Sequence, residues 1–106
     1  MLPLAPSAFH ILLALVPGEC HGYGIGKAVE ATTGGNICLG HATLYRQLRQ
    51  LADDGWIVET ERDDGDAVNR RYYRLTPRGR RAAQDEATRL ENLVRIAQDL
   101  RLLPAR

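Results

Sequence analysis

No stretch of this 106-residue chain holds about 18 consecutive apolar residues, so no membrane-crossing helix is expected. The opening MLPLAPSAFHILLALVPGEC is apolar but has no basic start and no clean small-residue cleavage site. A first core helix is expected there, not a signal peptide. Cysteine occurs twice, without the spacing of a disulfide framework, which fits a reducing cytoplasm. Repeats and low-complexity segments are missing, so this length reads as one domain with an appendage. A hydrophobic content of 44% allows a small core of the marginal kind that oligomerisation often supplements. No Ser-His-Asp, Cys-His or paired-carboxylate arrangement stands out. Gly22-x-Gly24-x-Gly26 follows a helix where a dinucleotide fingerprint needs a strand. Neither an enzyme nor a cofactor is expected.

Lysine is nearly missing as well. Thirteen of the fourteen basic residues are arginine, whose planar fork suits phosphate and guanine better than an ammonium does. The net charge of +1 conceals a segregated distribution. From Asp53 to Asp66 there are seven acids and one arginine; from Asn69 to Arg81 there are six arginines and no acid. Between Gly40 and Gln50 stand Arg46, Arg49 and His41, again with no acid.

The hydrophobic spacing and turn residues give an order of elements. Pro6-Ser7 opens a helix to Val16 with Ser7 as N-cap, and Pro17-Gly18 stops it. A second helix spans about Tyr23 to Thr32, with Ile25, Ala28 and Val29 inward and Gly34-Gly35 at its end. A third spans about His41 to Asp54, with Leu44, Leu48 and Leu51 on one face and Gly55 as its stop. WIVETER and RRYYRL read as two strands of a hairpin with DDGD in its tip, Tyr73 and Leu75 pointing inward. Thr76 and Pro77 open a last helix to about Leu103, roughly 40 Å long. The expected fold is mainly α with a two-stranded β-wing. Residues 1–76 form a winged helix-turn-helix DNA-binding domain, and residues 77–106 a C-terminal dimerisation helix.

In a helix-turn-helix the second helix lies in the major groove while the first braces the backbone. Such a face cannot carry carboxylates against phosphate, and HATLYRQLRQ carries none. Ala42, Thr43, Arg46 and Arg49 lie opposite the leucine stripe, flanked by Tyr45 and Gln50; Arg46 is the candidate for a bidentate guanine contact. In the wing, Asn69, Arg70, Arg71 and Tyr72 offer phosphate donors, while the acidic tip is expected to stay off the duplex. Leu90, Leu93, Val94, Ala97 and Leu100 form an apolar seam on the last helix, expected to pair with a second copy. Phe9, Leu12 and Leu13 of the first helix are expected to complete that interface. A homodimer of this kind suits a palindromic double-stranded DNA site.

Cys20-His21 and Cys38-x-x-His41 could supply four metal ligands, but adjacent residues in the first pair make joint tetrahedral ligation awkward. The thiols are expected to be small buried core residues, and no metal is expected. A regulator responding to thiol or metal chemistry through Cys20 and Cys38 is an alternative. A winged-helix module that binds a protein partner is another.

The segments ILLALVPGECHGYGI, GHATLYRQLRQLADDGWI and RRYYRLTPRGR resemble the PadR family of bacterial transcriptional regulators. The combination TLYR.L..L...G.I followed by R.YY.LT..G is specific, and it covers the whole winged-helix region. The single C-terminal helix resembles the family's shorter branch. The resemblance implies a homodimeric repressor with a C-terminal helix at the dimer contact, and a small-molecule effector held between subunits. It also implies that Thr43, Tyr45 and Arg46 sit at the DNA and that Tyr23 lies near its backbone.

Overall fold

The structure, a computed structural model, describes residues 3–62 and 70–105, with the backbone alone for residues 61, 62 and 70. The elements are α1 (Pro6–Leu15), β1 (Cys20–His21), α2 (Gly22–Thr32), α3 (His41–Asp53), β2 (Ile57–Arg62), β3 (Arg70–Leu75) and α4 (Pro77–Asp99). β2 and β3 form the expected antiparallel hairpin, in the register Ile57↔Leu75 to Arg62↔Arg70. The sheet nonetheless has three strands, in the order β1-β3-β2. Cys20 pairs with Tyr73 and His21 with Tyr72. The segment expected to be only a turn thus covers the free edge of β3, satisfying backbone groups that a two-stranded wing would leave open.

One core joins every helix to the sheet. Ile11, Leu12 and Leu15 of α1, Ile25 and Val29 of α2, Leu44, Leu48 and Leu51 of α3, and Ile57 and Tyr73 of the sheet are all buried in it. Two expectations about helix ends are corrected. Ser7 does not cap α1, because Ala5 holds the N-cap position without a side-chain bond; the Ser7 hydroxyl instead donates to Gln47 Oε1 of α3 at 2.8 Å. α2 begins one residue early because His21 caps it, Nδ1 accepting the Gly24 N–H at 2.9 Å.

The exit of α3 and the start of α4 are built as one joint. Gly55 turns the chain at φ 80°. Thr76 caps α4 by accepting the Gly79 N–H at 3.0 Å, and its hydroxyl donates to the Gly55 carbonyl at 2.7 Å. A Cβ on Gly79 would run into the Trp56 carbonyl oxygen and lie 2.8 Å from the carbonyl carbon. The first turn of α4 therefore rests directly on backbone.

α4 ends at Asp99, short of Leu103. Arg101 takes φ 65° and the Leu102 N–H returns to the Ala97 carbonyl at 2.8 Å, a left-handed stop that sequence periodicity does not reveal. Near its start the helix packs on α1, and Ala83 and Glu86 are buried there. The Glu86 carboxylate accepts two bonds from Arg89 at 2.8 Å and one from the Leu4 backbone, tying the N-terminal segment to α4.

Gly79→Ala is expected to destabilise the protein by about 1–3 kcal/mol, the cost of forcing atoms into a packed site. A lowered denaturant midpoint checks this, and an unchanged midpoint would show that the joint yields. Arg89 holds the Glu86 carboxyl below the usual carboxylate range. Its contribution is therefore complete above the ordinary carboxylate pKa and is lost as pH falls through the lowered one. Wild type should exceed Glu86→Gln in stability at neutral pH, and the gap should shrink in acid. Denaturant unfolding of both proteins at several pH values measures it.

Candidate nucleic-acid interface

α3 is presented by its own burial pattern. Leu44, Leu48 and Leu51 anchor one face, which leaves Ala42, Arg46, Arg49 and Gln50 exposed on the other; Thr43 and Tyr45 are half-buried at its margins. Two of the outward polar groups are engaged within the chain. Gln47 is held by Ser7, as described, and Gln50 Nε2 donates to Asp54 Oδ1 at 3.3 Å. Arg46 and Arg49 remain the cations of this face, with the nearest acids of the helix at its far end.

Gly40, the N-cap, supplies no side-chain bond to the first turn of α3. The helix therefore presents its positive dipole end without a capping side chain, a polarity suited to phosphate. Next to it, Tyr23 projects from α2 with 67% of its surface exposed, and Lys27 Nζ lies 5.5 Å from the centre of its ring. His41 lies against Tyr45, ring centres 4.6 Å apart. These rings and Lys27 border a shallow hollow between α2 and α3 floored by Leu39 and Leu44.

The wing contributes less free charge than its sequence suggests. Arg71 is exposed, but Nη1 lies 3.0 Å from Glu59 Oε1 on the neighbouring strand. An exposed pair of this kind is weak and can exchange for phosphate. Tyr72 is half-buried, with the His21 ring edge-on at 5.5 Å. Arg70 occupies the start of β3, and Asn69 and the acidic tip lie outside the described residues. Burial pushes the Tyr73 phenol above its ordinary value, and the Glu59 carboxylate adds to the shift. That residue belongs to the core.

The thiols depart from expectation. Cys38 is exposed and Cys20 only half-buried, so neither is a buried core residue. Burial pushes the Cys20 thiol above its ordinary value, which works against a reactive thiolate.

The residues expected to join two copies divide. Leu12 is fully buried inside its own subunit and cannot reach a partner, which corrects its assignment. The extended apolar character of α1 is spent on its own core instead. Phe9 packs against that core, while Leu13 is partly exposed. On α4, Leu90 and Ala97 are half-buried, and Leu93, Val94 and Leu100 are exposed. Ile96, Leu102 and Leu103 extend this apolar surface, though the heptad spacing did not single them out.

Three helices, a paired ribbon and a third helix without acid as far as Gln50 define a winged helix-turn-helix protein. The chain belongs to the transcriptional regulator PadR-like family, whose profile matches residues 11–85. It is 38% identical over 87 residues to a transcriptional regulator of Mycobacterium tuberculosis, covering 81% of this chain and 77% of that one. It is 27% identical over 97 residues to the negative transcriptional regulator PadR of Bacillus subtilis, covering 92% of this chain. The chain spans about half of that protein's length, 53%. The crystal structure of Bacillus subtilis PadR in complex with operator DNA superposes with a TM-score of 0.69 at 28% identity, over 78% of this chain and 47% of that one. Family and relatives are regulators of transcription, not enzymes.

Proposed function

We propose that this chain is a homodimeric repressor that binds a palindromic operator in the cytoplasm. Residues 1–76 read the DNA and residues 77–106 join the subunits. The observation that carries the reading is the outer face of α3. Ala42, Arg46, Arg49 and Gln50 are exposed, with no acid before the last turn, on a helix whose opposite face is fixed in the core. The Bacillus subtilis relative, a negative regulator seen with operator DNA, supports the same use of this fold.

In this reading Ala42 permits close approach to base edges, Arg46 reads a guanine, and Thr43, Arg49 and Gln50 fix register on the duplex. Tyr23 and the wing's Arg70, Arg71 and Tyr72 hold the phosphate backbone, Arg71 leaving Glu59 to do so. The second copy covers Leu93, Val94 and Leu100, which are exposed among the described residues of their own subunit. The long axis of the molecule, 56 Å against 27 and 22 Å, leaves α4 room to serve as this contact. An effector held between subunits would act by changing the spacing of the two α3 helices, shifting the population away from the DNA-competent arrangement.

Footprinting on the DNA upstream of the chain's own gene, followed by titration at several salt concentrations, tests the reading. Affinity should fall steeply as salt rises; binding that ignores salt and sequence would overturn it. Arg46→Ala should weaken the protected duplex by roughly 1–3 kcal/mol and relax one base preference, with fold and dimer intact. Anisotropy titrations against single-base variants of the duplex check this. Leu93→Asp should give a monomer in sedimentation that no longer holds a two-half-site duplex, because a buried charge there has no partner. A stable dimer would place α4 elsewhere.

A further inference from the structure

Tyr45 does not stand free on the outer face of α3. Its ring is half-buried and packs against the core, with the His41 ring on one side. It also lies directly on the backbone of Gly22. A Cβ built on Gly22 would come within 2.6 Å of Tyr45 Cζ and 3.1 Å of Cε1, with the hydroxyl nearer still. Gly22 is buried and opens α2, immediately after β1. β1 is in turn bonded to β3, Cys20 opposite Tyr73 and His21 opposite Tyr72. A single aromatic ring therefore stands between α3 and the corner where α2 leaves the sheet that carries the wing.

We infer that Tyr45 is a positioning residue, its ring acting as a spacer against Gly22 that sets the height of α3 over the wing. The leucines of α3 fix which face turns inward, but aliphatic side chains can change rotamer and let a helix slide by fractions of an ångström. The hydroxyl end of the ring is what meets Gly22, so a Cβ there must be met by a swing of the Tyr45 side chain. Its packing on the core and the His41 ring resists that swing, while the glycine corner is tied into the sheet. The spacing matters because base edges and phosphates must be met together by two elements of the same rigid body. Its consequence for DNA rests on the function proposed above, whereas the ring-on-glycine spacer can be read without DNA.

The test uses four proteins: wild type, Gly22→Ala, Tyr45→Leu and the double variant. Each is unfolded in denaturant. Each is then titrated with a duplex selected by wild type from a randomised pool, and with a scrambled duplex. Gly22→Ala should lower the preference for the selected duplex roughly tenfold in the wild-type background and by less than about twofold in the Tyr45→Leu background, the coupling expected of residues in contact. Gly22→Ala should leave affinity for scrambled DNA the same within each background. Equal losses in both backgrounds, or no loss from Gly22→Ala, would overturn the spacer. If Gly22→Ala alone does not fold, a folded double variant supports the contact, and an unfolded one shows that the ring is not the obstacle. If wild type selects no duplex, the DNA reading fails while the denaturant midpoints still decide the spacer.

Discussion

Leu44, Leu48 and Leu51 bury one side of α3 in the core, and that burial decides where every other side chain of the helix points. Each leucine contributes about 1.5–3 kcal/mol by leaving water, far more than any single exposed arginine can gain or lose at the surface. Rotating α3 to turn Arg46 inward would forfeit that burial and strand a charge in the core. The cationic face is thus held outward by an apolar interaction on the other side of the same helix. Its chemistry depends on the core more than on its own contacts.

Close approach of helix to backbone recurs where the elements meet. At Gly22 the α3 tyrosine rests on the start of α2. At Gly79 the first turn of α4 rests on the Trp56 carbonyl, next to the Thr76 bonds that tie α4 to the end of α3. Both joints need a residue without a side chain, and both touch α3 or the residues that leave it. The end of α3 and the first turn of α4 are therefore joined with little slack. In the proposed dimer, a rigid joint of this kind would carry a change of subunit spacing to the DNA.

Charge is distributed along the same lines. Arg71 is balanced by Glu59 across the wing, and Glu86 by Arg89 on α4. Arg46 and Arg49 have no such neighbour on α3 up to Gln50, since its acids wait for the last turn. On α3 the exposed Arg46 and Arg49 follow an N-terminus without a capping side chain, with the Tyr23–Lys27 pair nearby.

Much of this was legible in the sequence, because helix period, strand alternation and capping residues are local. The three helices, the inward side of the strand at Tyr73, the Thr76 cap and the inward leucines of α3 all follow from spacings within one element. The acid-free run from Gly40 to Gln50 is likewise a property of the chain alone, and it pointed to the candidate interface without any coordinates. Other features needed the chain to be folded, because they join residues distant in sequence. β1 forms only because β3 lies beside Cys20 and His21, and two residues give no strand signal of their own. Leu12 looked like surplus apolar surface until the folded core closed over it. Tyr45 looked like an outward group until α2 brought Gly22 under its ring. Local sequence determined which elements form and which face each turns inward, since those depend on period and propensity. Only the tertiary structure decided which side chains were left over for a partner, because burial depends on what arrives from elsewhere in the chain.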